Sequence, residues 1–131
     1  MKALGTNVLV RFLVADDKAQ ARRVRDTLEN VERAGERFMV TSPVVLEMIW
    51  VLSAVYDFSR EEIIRALELL SQMPVLEFQD YDQVLDLIRL GTNSKADLSD
   101  LFIGLAARSS GCETTLTFDK RLTATGLFER L

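Results

Sequence analysis

A chain of 131 residues, 48% hydrophobic and 27% charged, is long enough for one domain with its own core and too apolar for a disordered segment. It has no histidine and a single cysteine, which excludes Ser–His and Cys–His triads, His-ligated or cysteine-rich zinc sites, and any disulfide within the chain. The formal net charge of −4 argues against strong nonspecific nucleic-acid binding by the whole molecule, although a local basic groove follows its own field.

Residues 1–5 read as a short strand, and Thr6 or Asn7 is placed to cap a helix running to about Val14. A second helix is expected from about Lys18 to Ala34, with Ala21, Val24, Leu28 and Val31 on one face and Gly35 ending it. Phe38–Val40 is the second strand. Ser42 then caps a helix with Pro43 at its first position, continuing to about Tyr56. Ser59 and Glu62 have capping-box spacing for a helix to about Gln72.

Val75–Phe78 is the third strand, and Asp80 with Gln83 opens another helix. A helix from about Leu98 to Ser109 stops before Gly111, and a strand follows at 113–117. A short helix near Lys120–Thr125 and a terminal strand at Leu127–Leu131 complete the chain. Alternation of this kind predicts the α/β class: one domain, residues 1–131, with a parallel sheet flanked by helices. No linker or internal repeat divides it. The N-terminus lacks a signal-peptide pattern and no apolar run reaches membrane-spanning length, so a cytoplasmic protein is expected.

Acids stand at the ends of several of these segments. Ligands of open parallel sheets bind beyond the carboxyl ends of the strands, where Gly5 and Asp119 fall. Carboxylates gathered there suit a hard divalent cation such as Mg²⁺. Each acid also has a plainer explanation. Glu47, among Val44, Val45, Leu46, Met48, Ile49 and Trp50, needs a cation, a hydrogen-bond partner or water if buried, and is otherwise an exposed helical glutamate. Asp97 and Asp100 both favour a helix N-terminus as caps. Asp119, before Lys120 and Arg121, suits a turn. Gly5 suits an unusual backbone conformation between strand and helix, and Cys112 is read as a small core residue.

Taken in order, the opening Leu4-Gly5-Thr6-Asn7-Val8-Leu9, the mid-helix Glu47, Asp97-Leu98-Ser99-Asp100, and Gly111-Cys112 leading to Thr117-Phe118-Asp119 resemble the PIN-domain ribonucleases. The likeness is to the VapC-type toxins of bacterial toxin–antitoxin pairs, and it spans essentially the whole chain. The resemblance implies a PIN-like fold and RNA endonuclease activity. It also implies Mg²⁺ or Mn²⁺ held by Glu47, Asp100 and Asp119, with Asp97, Thr6, Asn7 and Thr117 in support. The family has aspartate where this chain has Gly5, which implies a weakened metal site. Natural degeneracy and an introduced inactivating change both remain open.

The resemblance further implies a VapB-type antitoxin and an RNA substrate as partners. Lys18, Arg22 and Arg25 lie along the face of the second helix opposite its apolar stripe, and Arg11, Lys95, Lys120 and Arg121 are expected in or near loops around the acids. Such cations position phosphates without reading sequence, or are simply solvated surface. The helix carrying Glu47 is apolar around most of its circumference, with Trp50 and Tyr56 extending it, so a homodimer is expected. The alternative function is a nonenzymatic RNA- or antitoxin-binding relative. A phosphoacceptor receiver domain is a third reading, weakened because Gly5-Thr6 supplies no acidic pair after the first strand.

Overall fold

The computed structural model describes residues 1–131, which divide into two compact units, Met1–Tyr81 and Asp82–Leu131. In the first, β1 (Lys2–Ala3), β2 (Phe38–Val40) and β3 (Leu76–Phe78) form a parallel sheet in the order β1-β2-β3. The register pairs Ala3 with Met39 and Met39 with Glu77. Parallel neighbours require long crossovers, and helices supply them. α1 (Thr6–Val14) and α2 (Lys18–Arg33) lead from β1 to β2, and α3 (Ser42–Ala54) and α4 (Arg60–Ser71) from β2 to β3.

Helix ends in this unit follow from local chemistry. Ser59 accepts from the Glu62 amide while Glu62 accepts from the Ser59 amide, which completes the expected capping box. Gly35 ends α2 at φ +73°, donating to the Glu32 carbonyl, while Glu36 donates to that of Val31; this is a Schellman motif. The start of α3 differs by one residue from expectation. Thr41 is the cap, and Ser42 and Pro43 are the first two helical residues. Proline still fits, because an amide in the first turn has no intrahelical partner to lose. The Ser42 amide instead donates to Gln79 Oε1 at 2.9 Å.

α3 buries only one stripe, Val45, Met48, Ile49 and Leu52, spaced for a single helical face. Its other side exposes Pro43, Glu47 and Trp50, so its all-round apolar sequence leaves apolar surface in water. Arg11, expected in or near a loop, lies in the last turn of α1 and is held by three side chains. Its guanidinium donates to Gln20 Oε1 at 2.6 Å, Tyr56 Oη at 2.9 Å and Asp16 Oδ1 at 3.2 Å, joining the end of α1 to α2 and to the residues after α3.

The second unit contains α5 (Tyr81–Asn93, beginning at the boundary) and α6 (Leu98–Ser109). The parallel pair β4 (Thr115–Thr117) and β5 (Phe128–Arg130) is joined by a 3-10 helix at Lys120–Thr125. Buried Gln83 donates to the Phe102 carbonyl at 3.1 Å, satisfying a polar group that would otherwise be costly inside. α6 ends on Gly111 at φ +92°, with Cys112 donating to the Ala107 carbonyl. Cys112 itself is exposed and is not the core residue expected. No helix is long and apolar enough to cross a membrane.

Candidate functional site

In the first unit, Gly5 follows β1 and occupies the N-cap of α1, with φ −79° and ψ 163°. That is ordinary extended backbone, so the unusual conformation expected of this glycine is not what it provides. Thr6 and Asn7 are the first two residues of the helix and do not cap it. The cap position therefore offers no side-chain acceptor. A Cβ built on Gly5 would meet only Asn7 Oδ1, at 3.5 Å, an ordinary contact. Glu47, on the water-facing side of α3, is exposed; it needs no buried counter-ion.

In the second unit three aspartates lie at the starts of two helices. Asp97 caps α6 and accepts from the Asp100 amide at 3.1 Å, so its capping role is realised. Asp100 is the third residue of that helix and half-buried. Its carboxyl is pushed above the usual aspartate range, first by burial and then by the negative charges of Asp97 and Asp119, with Arg121 opposing. Asp119 caps the 3-10 helix. Its Oδ1 accepts from the Arg121 amide at 2.9 Å and Nε at 3.1 Å, and its Oδ2 from Nη2 at 3.0 Å. These hydrogen bonds hold the Asp119 carboxyl below the usual range. Thr117 Oγ1 accepts from the Asp119 amide at 3.0 Å and fixes the chain just beyond β4.

The donor chemistry of these acids suits a hard cation, since every available group is a carboxylate oxygen. Their placement does not make a ready cage. Within neither unit do three or more acidic or cysteine side chains gather closely enough to hold an ion. Both oxygens of Asp119 and one of Asp97 already accept hydrogen bonds.

A family model for the PIN domain matches residues 3–126, across both compact units. The chain belongs to the PIN-domain family. It is also 22% identical over 126 residues to the VapC ribonuclease of Aquifex aeolicus (strain VF5), covering 96% of this chain and 93% of that protein. The α/β reading, a parallel sheet flanked by helices, therefore stands, and the receiver-domain reading falls away.

The surrounding cations divide into committed and free groups. Lys18, Arg22 and Arg25 are exposed on α2 while Ala21 and Leu28 are buried, as their spacing predicts. Lys95 and Lys120 are also exposed. Arg121, which sequence reasoning placed with the phosphate-facing cations, has a carboxylate partner two residues away. The signal was legible in Asp119-Lys120-Arg121, because an acid at a helix start draws both the amide and the side chain of the second following residue.

Proposed function

We propose that this PIN domain, taken as residues 1–131, is a divalent-metal-dependent RNA endonuclease of the VapC toxin type, catalytically weakened by glycine at position 5. Family membership and the VapC ribonuclease relative support the reaction class. The single observation that carries the weakening is the α1 cap. Gly5 has a backbone any residue adopts and space for a side chain, so no fold requirement accounts for the absent acid there.

Glu47, Asp100 and Asp119 are the proposed metal-binding and catalytic residues, with Asp97, Thr6, Asn7 and Thr117 in support. A bound Mg²⁺ or Mn²⁺ supplies an activated water and stabilises charge on the phosphodiester. The chain's own contribution is to hold carboxylates. Asp97 fixes the first turn of α6 and so the position of Asp100, and Thr117 fixes the backbone of Asp119. The Asp100 carboxyl, raised first by burial and then by Asp97 and Asp119, would be favoured in its ionised form by a cation bound there. Exposed Lys18, Arg22, Arg25, Lys95 and Lys120 are available to position phosphates.

Gly5→Asp is expected to raise metal-dependent cleavage of single-stranded RNA roughly ten- to hundredfold, since even outer-shell metal partners are worth that much. The comparison uses purified, antitoxin-free protein with Mg²⁺ or Mn²⁺ and a chelator control. Equal activity in both versions would show that position 5 is not a required ligand. Cleavage by neither would favour the second reading, a nonenzymatic antitoxin- or RNA-binding PIN domain, to which the missing acid at Gly5 also points.

The proposed partners are an RNA substrate, a VapB-type antitoxin and a second copy of the chain, in the cytoplasm. Trp50 and Val55 are 61% and 62% exposed, and apolar surface of this kind favours an interface. Light scattering at low micromolar concentration should report a dimer that Trp50→Ala weakens; a monomer would remove this assembly.

A further inference from the structure

We infer that Arg121 is a tethered cation that competes with a divalent metal ion for the Asp119 carboxylate. The inference rests on the metal-nuclease reading and deepens it. Arg121 places its guanidinium fork across both oxygens of Asp119, Nε to Oδ1 at 3.1 Å and Nη2 to Oδ2 at 3.0 Å, while its own amide takes Oδ1 at 2.9 Å. A metal coordinates carboxylate oxygen directly, at about 2.0–2.1 Å for Mg²⁺, which leaves no room for a guanidinium on the same lone pairs. The ion and the fork therefore compete for the lone pairs of Asp119, three of whose sites Arg121 already takes. Arg121 is also near enough to Asp100 to counter its charge, so one side chain partly neutralises two of the proposed ligands.

The Arg121 side chain is 90% exposed, whereas Asp119 is 32% exposed. Displacing the arginine therefore loses no packing and frees a cation directly into water. Its strength as a competitor is correspondingly modest, because an exposed ion pair is weakened by water and by the side-chain entropy it gives up. The effect on metal affinity is therefore about fivefold at most, enough to set a threshold and too little to abolish binding.

The test is calorimetric titration of Mn²⁺ into the full-length, chelator-stripped protein carrying Gly5→Asp, which supplies the missing acid. Adding Arg121→Gln should tighten Mn²⁺ binding by up to about fivefold. The backbone bond from residue 121 to Asp119 survives that change, and circular dichroism checks that the fold does too. Arg121→Lys keeps the charge without the fork and should fall between the two. In an Asp119→Asn background the gain from Arg121→Gln should disappear. Equal or weaker Mn²⁺ binding after Arg121→Gln, or a gain that persists without Asp119, overturns the competition while leaving the metal reading intact. No Mn²⁺ binding by any of these proteins overturns both.

Discussion

At Gly104, in the middle of α6, an added Cβ would fall 2.8 Å from Phe128 Cε2 and 3.1 Å from Leu127 Cβ, whereas at Gly5 it would meet only Asn7 Oδ1, at 3.5 Å. Gly104 is therefore required by packing, since the close approach of α6 and β5 leaves no volume for a side chain. Gly5 is not. It has neither a crowded neighbourhood nor a positive φ, and a Cβ there makes only an ordinary contact. Two residues of the same type thus mean different things. One is a structural requirement; the other is free of any steric demand for glycine.

The sharpest test sets the two sites side by side in denaturant melts. Gly104→Val is expected to destabilise by about 1–3 kcal/mol, the usual cost of overpacking a close contact. Gly5→Asp should stay within about 0.5 kcal/mol of the parent, because it gains a cap acceptor and loses nothing. A Gly5→Asp protein as unstable as Gly104→Val would mean that glycine at position 5 is structural after all.

A second experiment contrasts the two helix starts. α1 has no side-chain cap, whereas α6 has Asp97 accepting from the Asp100 amide. Asp97→Ala should cost about 1 kcal/mol. Asp97→Ser, which keeps an acceptor, should recover most of it. If both substitutions are silent, the N-terminus of α6 is held by something other than its cap.

The smallest effect is a pH dependence. The Asp100 carboxyl is raised in the folded protein, so the folded state holds that proton more tightly than the unfolded chain does. The associated stability is fully present below the ordinary aspartate range and is lost as pH rises through the raised value. Asp100→Asn is spared that loss. The variant should gain stability relative to the parent as pH is raised from about 3 to 7, with the difference vanishing at the acid end. Asp119 runs the other way. Its lowered value stabilises the fold above the ordinary range, and the benefit fades as pH falls through it. Melting midpoints of Asp100→Asn and Asp119→Asn that both track the parent at every pH would contradict these environments.

Most of the fold was legible because its punctuation is local. Gly35 and Gly111 end helices through positive φ, Ser59 with Glu62 starts one, β2 is a short apolar run, and β3 alternates as Leu76-Glu77-Phe78. The candidate site was legible only in part. Periodicity showed that α3 is apolar all round, but which stripe is buried depends on its packing partners, so Glu47 and Trp50 emerge on the water side only in three dimensions. Composition made Cys112 a core candidate, yet its place just after the Gly111 turn leaves it exposed. Arg11 and Arg121 looked alike as cations near acids. Their partners, Tyr56 in one case and Asp119 in the other, are set by geometry that charge counting does not contain. Gly104 carried no signal beyond being a glycine in an apolar helix, since its meaning lies in Phe128 opposite it.

The chain has one tryptophan and one cysteine; Trp50 is exposed in the first unit and Cys112 in the second. Labelling the thiol with an energy-transfer acceptor turns the pair into a spectroscopic ruler between the two units, with no substitution needed to install it. Donor emission excited at Trp50 then reports the separation of the units in solution. It would follow any change when metal, RNA or an antitoxin is added.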